Sequence, residues 1–167
     1  LSEELCSNLK KGATYDKAKK IAVLTSMLGG VDGEVKSKID TAVKVLKDNG
    51  VEVDEIENDI IPLSSTAWNV LMSAELCNNV SRYDGVKYGY RSQNFLGLDE
   101  LYTKSRTEAF GELLKNAIIF GSETLSTENY FKVYDKCLRT RRVIVEEFKK
   151  IFEGYDAVIM PATSTLN

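Results

Sequence analysis

The side chains with the most chemical potential gather between residues 68 and 91, in the run WNVLMSAELCNNVSRYDGVKYGYR. Trp68, Leu71, Met72 and Leu76 recur at helical spacing and Glu75 and Asn79 fall on the same line, which predicts a helix whose apolar face, turned toward the core or a site wall, carries a carboxylate and an amide. A carboxylate so placed needs a partner, because an unpaired buried charge is strongly destabilising. The expected partner is Arg141, which lies on the apolar line of a later helix, or else Glu75 and Arg141 pair separately with Arg82 and Asp84. The alternative is that Glu75 and Arg141 reach water past their apolar neighbours.

After Val80 the chain becomes dense in Arg, Tyr, Asp and Gly. Tyr83, Tyr88 and Tyr90 with Arg82, Lys87 and Arg91 could form a basic and aromatic surface for RNA bases and phosphates. The same residues could instead pack on themselves with their hydroxyls bonded internally. The shortness of the pattern and a net charge of −3 favour the second arrangement. Gly85 and Gly89 supply the positive φ at which such a loop turns.

Several other chemistries are excluded. The sequence has no histidine, which removes Ser-His-Asp and Cys-His centres and argues against a transition-metal site. Its three cysteines, Cys6, Cys77 and Cys137, are far apart and form no C-x-x-C, a usage that suits a reduced cytoplasmic interior without zinc. Ser64 and Ser65 follow Pro62 and read as helix caps rather than nucleophiles, since no general base is identifiable beside them. Gly29, Gly30 and Gly33 have the wrong spacing for a dinucleotide fingerprint, and no G-K-[ST] follows. The residues alone thus offer no complete catalytic centre, no metal site and no cofactor site.

The elements that must position these residues are legible from periodicity. A composition of 43% apolar and 28% charged residues over 167 positions fits one globular domain, and no run has the pattern of a transmembrane helix or a signal peptide. Residues 1–16 predict a short amphipathic turn ending at Gly12. Ile21 to Leu24 predicts a buried strand, Val35 to Leu46 a helix stopped by Asn49-Gly50, and Val51 to Glu57 a half-exposed strand. Residues 21–57 therefore read as a β-α-β unit with parallel neighbouring strands. A helical region follows over 64–153, interrupted near Gly111, with the longest helix over about 127–153 on the line Tyr130, Tyr134, Cys137, Arg141, Ile144, Phe148 and Ile151. Residues 157–160 predict one more strand. The expected class is α/β, helix-rich, with a few mostly parallel strands. Because the chain begins at Leu1 and stops at Asn167 directly after a strand-like run, it is expected to be a piece of a longer protein.

The run SAELCNNVSRYDGVKYGYR, residues 73–91, resembles the amidase signature family, and within it the branch of glutamyl-tRNA(Gln) amidotransferase A subunits. The likeness continues in LDELYTKSRTEAFGE, residues 98–112, in Tyr130, Tyr134, Arg141 and Phe148, and in YDAVIMPATST, residues 155–165. The resemblance implies a mixed sheet surrounded by helices and a Ser-cis-Ser-Lys centre that releases ammonia from glutamine or another amide. That centre lies in a Gly/Ser-rich region which this sequence lacks, and which would precede Leu1. The chain would then supply scaffold and substrate-pocket wall, with Trp68, Glu75, Asn79, Arg82, Tyr83, Asp84, Arg91, Ala117 and Arg141 as candidates, and without a catalytic residue of its own. Implied partners are the other amidotransferase subunits, indirectly Glu-tRNA(Gln), and a small amide substrate, with self-association of the piece through uncovered sheet edges. Two departures bear on the substrate. Where the branch has K-R-R-I-x-x-G with an arginine for the substrate carboxylate, this chain has Ala117 in KNAIIFG, and the wall tyrosine corresponds to Trp68. Ala117 cannot hold a carboxylate. The alternatives are thus a general amidase for small uncharged amides, or an inactive binding or assembly module.

Overall fold

The computed structural model describes residues 18–165, so the turn expected over residues 1–16, and Cys6, lie outside the described residues. The described chain divides into two compact units, one running through Pro62 and resuming at Glu146, the other Leu63–Val145.

The first unit is built on a three-stranded parallel sheet. Strand β1 (Lys20–Leu24) is central, β2 (Glu52–Ile56) pairs on one side and β3 (Ala157–Ile159) on the other. Ile21 lies opposite Val53 in one neighbour and Ala157 in the other. A strand covered on both faces needs an unbroken apolar run, and Ile21, Ala22, Val23 and Leu24 are all buried. Helix α1 (Gly33–Asp48) connects β1 to β2, and its line Ile39, Val43 and Leu46 packs on Ile21, Val23 and Val53. It stops where predicted, at Asn49 and Gly50, the latter at φ +80°.

Polar contacts hold the same sheet at its entry. The Lys20 ammonium bridges Glu52 at 2.7 Å and Asp54 at 3.1 Å, and the Tyr155 hydroxyl donates to Asp54 at 3.1 Å. The Asp156 carboxylate accepts from the backbone N–H groups of Lys19 and Lys20, at 2.8 and 2.9 Å, which fixes the approach to β3.

The second unit is helical. It comprises α2 (Ser64–Val80), α3 (Leu98–Ala109), α4 (Glu112–Thr124), a π-helical turn (Tyr130–Tyr134) and the start of α5 (Asp135–Gly154). The longest helix thus begins regular winding at Asp135, and the turn before it carries Tyr130 and Tyr134. Ser64 is the first residue of α2 rather than its cap: Leu63 stands at the cap position and no side chain closes that end.

Of the two settings expected for the face carrying Trp68, Glu75 and Asn79, the core or a site wall, the core is not the one it takes. Ala67, Val70, Ser73, Ala74 and Val80 are buried, whereas Trp68, Glu75 and Asn79 are exposed. At 100° per residue these two sets lie on nearly opposite sides of the helix. The small residues win because α4 comes very close there. A Cβ added at Gly121 would land on the Ser73 carbonyl, and 2.9 Å from the Cβ of Cys77. Only small side chains permit that approach, so the larger apolar residues turn to the other side.

Candidate functional site

The larger residues of α2 face an open groove of about 360 Å³ within the second unit. Its walls are Trp68, Leu71, Met72 and Glu75 from α2, with Arg141, Ile144 and Val145 from α5. Helical spacing places these positions side by side along each helix. Trp68, although 63% exposed, therefore forms part of a concave apolar surface rather than standing alone.

Glu75 and Arg141 meet here, but not as the expected buried ion pair. Both are exposed, and among the described residues Arg141 has no carboxylate within ion-pair distance. Water solvates both charges, so direct pairing is not required. Their common neighbour is Tyr134, from the π-helical turn, whose hydroxyl donates to Glu75 at 3.4 Å. Burial raises the Tyr134 pKa above the usual tyrosine value and the Glu75 charge adds to the rise, while the Arg141 charge opposes it.

Chemically the groove suits an apolar or uncharged group with a polar end. Ser64 is the single hydroxyl nucleophile on the lining, and the one lining carboxylate, Glu75, stands eleven residues further along α2. That spacing is about 16 Å of helix, so the two cannot act as nucleophile and base. Among the described residues no group of His, Cys, Asp and Glu could hold a metal ion. A second cleft, in the first unit beyond the carboxyl end of β1, is lined by Thr25, Gly29, Lys36, Asp40 and Glu55.

Four further candidates, Arg82, Tyr83, Asp84 and Arg91, lie in the loop between α2 and α3, which has no regular secondary structure and takes its shape from side-chain contacts. Asp84 Oδ1 accepts from the N–H groups of Val86 and Lys87 at 2.8 and 3.2 Å, a turn that holds its carboxyl below the usual range. Gly85 (φ +74°) lies against Ser105, and Gly89 (φ +84°) against the Tyr83 ring. Tyr83 packs edge-on against Tyr88 and Phe110. The loop thus packs partly on itself, with the Tyr90 hydroxyl bonded to Glu108, while Tyr83, Tyr88 and Tyr90 stay exposed.

What sequence reasoning missed is the partner of this loop, helix α3. Arg106 donates to the carbonyls of Val80 and Tyr83, both at 2.9 Å, and closes the end of α2. Ser105 Oγ accepts from the Ser92 N–H at 3.0 Å. Glu108 accepts from the Tyr90 hydroxyl at 2.6 Å and the Ser92 hydroxyl at 3.0 Å, the first of which raises the Tyr90 pKa. Lys104 donates to the Asn94 carbonyl at 2.7 Å, and Glu100 accepts from the Leu96 N–H at 2.6 Å. The polar face of α3 is thus a template for the loop. The available signal was that the two recognisable runs, residues 73–91 and 98–112, flank one irregular stretch.

The remaining candidates stand apart from these contacts. Asn79 is exposed near the end of α2, off the groove lining. Ala117 is half-buried on α4, also off that lining. Arg82 is exposed, and neither it nor Asp84 joins Glu75 or Arg141 in an ion pair.

A family model described as Amidase matches residues 4–167, and the chain belongs to the amidase family. It is 37% identical over 158 residues to the A subunit of glutamyl-tRNA(Gln) amidotransferase of Clostridium botulinum (strain Loch Maree / Type A3), covering 93% of this chain and 33% of that protein. The crystal structure of the Thermotoga maritima A subunit of glutamyl-tRNA(Gln) amidotransferase superposes with a TM-score of 0.53 at 24% identity, over 84% of this chain and 26% of that one. A bacterial aryl acylamidase of the amidase signature enzymes superposes with a TM-score of 0.60 at 18% identity, over 99% of this chain and 32% of that one. These two structures bear on the fold, which is that of the amidase signature proteins. The chain spans about a third of the length of the curated relatives it matches.

Proposed function

We propose that this chain is the scaffold and pocket-wall portion of a cytoplasmic glutamyl-tRNA(Gln) amidotransferase, from the component that releases ammonia from an amide so that Glu-tRNA(Gln) can be converted to Gln-tRNA(Gln) together with other subunits. The observation that carries the reading is the 37% identity to such a protein along 93% of the chain. The groove is consistent with it: Trp68, Glu75 and Arg141 line one concave surface with an apolar floor and a charged rim, and no nucleophile and base stand together there. The chemistry then belongs to a Ser-cis-Ser-Lys centre outside these 167 residues.

One observation favours a second reading of the substrate. By the resemblance, Ala117 corresponds to an arginine that holds the substrate carboxylate in the amidotransferase branch, and no neighbouring residue in KNAIIFG supplies a guanidinium. A small uncharged amide would not need that charge. Ammonia release from glutamine and from simple neutral amides, measured side by side with the complete protein, separates the two. Preference for glutamine supports the amidotransferase, preference for neutral amides the general amidase, and turnover of neither the inactive module.

A further inference from the structure

We infer that Glu108 is a positioning residue, whose carboxylate grips the residues on either side of Arg91 and so fixes the loop and the Arg91 guanidinium before any ligand arrives. The inference rests on the reading that this loop belongs to the pocket wall. Tyr90 and Ser92 both turn toward α3, where one Glu108 oxygen accepts from each hydroxyl, at 2.6 and 3.0 Å. Ser92 is almost fully buried, and its N–H is held separately by Ser105, itself buried. Arg91, between them, is exposed, and its guanidinium sits 5.3 Å from the centre of the Phe95 ring. Among the described residues Arg91 has no ion-pair partner, so its charge is free for a ligand.

Two hydrogen bonds to one ionised acceptor are strong, and a carboxylate with both oxygens engaged cannot rotate without breaking both. The other α3 contacts fix the backbone at Val80, Tyr83, Ser92, Asn94 and Leu96. Glu108 alone among them takes hold of side chains at two loop positions. It is therefore the contact that sets how the short segment Tyr90–Ser92 presents Arg91.

The test uses the complete protein carrying Glu108→Ala, Glu108→Gln, Arg91→Ala and the double variant Glu108→Ala/Arg91→Ala. Trypsin cleavage after Lys87, an exposed residue of the loop, reads loop opening without reference to activity. Glu108→Ala is expected to speed that cleavage about tenfold or more, the equivalent of one charge-assisted hydrogen bond. Glu108→Gln keeps an acceptor for one hydroxyl and offers the other a donor, so it should restore most of the protection. In amide hydrolysis, Glu108→Ala and Arg91→Ala should both raise KM with little change in kcat, and the double variant should be no worse than Arg91→Ala. Unchanged cleavage in Glu108→Ala overturns the grip. Multiplicative losses in the double variant overturn action through Arg91, and an unchanged KM in Arg91→Ala overturns the placing of this loop in the pocket wall while leaving the cleavage result to judge the grip. Should Glu108→Ala not fold, Tyr90→Phe and Ser92→Ala each remove one bond and should each accelerate cleavage; no acceleration in either counts against the proposal.

Discussion

Replacing Gly121 by alanine tests the helix crossing that turns Trp68 toward the groove. Alanine favours helix over glycine by about 1 kcal/mol, so an open site would be stabilised. Here the added Cβ meets the Ser73 carbonyl and the Cys77 Cβ. A helix backbone cannot yield as a flexible side chain does, so α2 and α4 must move apart, and a clash with backbone costs about 2–3 kcal/mol, the upper part of the overpacking range. The net expectation is destabilisation by about 1–2 kcal/mol, and a Tm lowered by roughly a few °C or less, since a given free energy moves Tm less in a larger folding unit. Gly154→Ala is the control, since nothing lies within 4 Å of a Cβ there, and it should be neutral or slightly stabilising. Thermal melts followed by circular dichroism on the complete protein decide. A Gly121→Ala variant as stable as its parent would refute the close crossing, and with it the reason given for the orientation of α2.

Two further predictions concern charge. Glu75→Gln should bring the Tyr134 pKa down toward the ordinary tyrosine value, though burial keeps it raised, and ultraviolet titration of wild type against variant, with Tyr134→Phe to assign the signal, measures it; no change would separate Glu75 from Tyr134. The carboxyls of Asp54, Asp84 and Asp156 lie below the usual range, held chiefly by Lys20, by the Val86 N–H and by the Lys20 N–H respectively. A carboxyl depressed in the folded state stabilises above its unfolded pKa of about 3.9, and that contribution fades as pH falls through the folded value. Tm should therefore be level from neutrality to mildly acidic pH and fall below it, and Asp156→Ala should lower Tm at pH 7 while shrinking the acid-induced loss. An identical acid slope in the variant would remove Asp156 from the account.

The parts of the fold that were legible in the sequence are those where one residue pattern has one reading. The unbroken run Ile21 to Leu24 requires cover on both faces, and the period of Ile39, Val43 and Leu46 requires a sheet to lie on. Helix α2 has no such pattern, because Ala67, Val70 and Ala74 mark one side and Trp68, Leu71 and Met72 the other. Hydrophobicity favours burying the larger set, but the choice is made by Gly121, some fifty residues away in sequence and invisible to local periodicity. Only a place in the core, rather than at a site wall, would have made an ion pair of Glu75 and Arg141 necessary; exposed, with the Tyr134 hydroxyl on Glu75, they need none. The groove was thus partly legible, through Trp68, Glu75 and Arg141, as the site-wall alternative for that face. Loop shape was not, since Ser105, Arg106 and Glu108 act on it from a separate helix and no spacing rule links them to Tyr83, Tyr90 or Ser92.

The central claim is that these residues wall a site whose chemistry is performed elsewhere. Ammonia release by the isolated 167-residue chain, measured beside the complete protein on the same amides, tests it most directly. The account predicts turnover by the complete protein and none above background by the isolated chain; robust turnover by the isolated chain would contradict it.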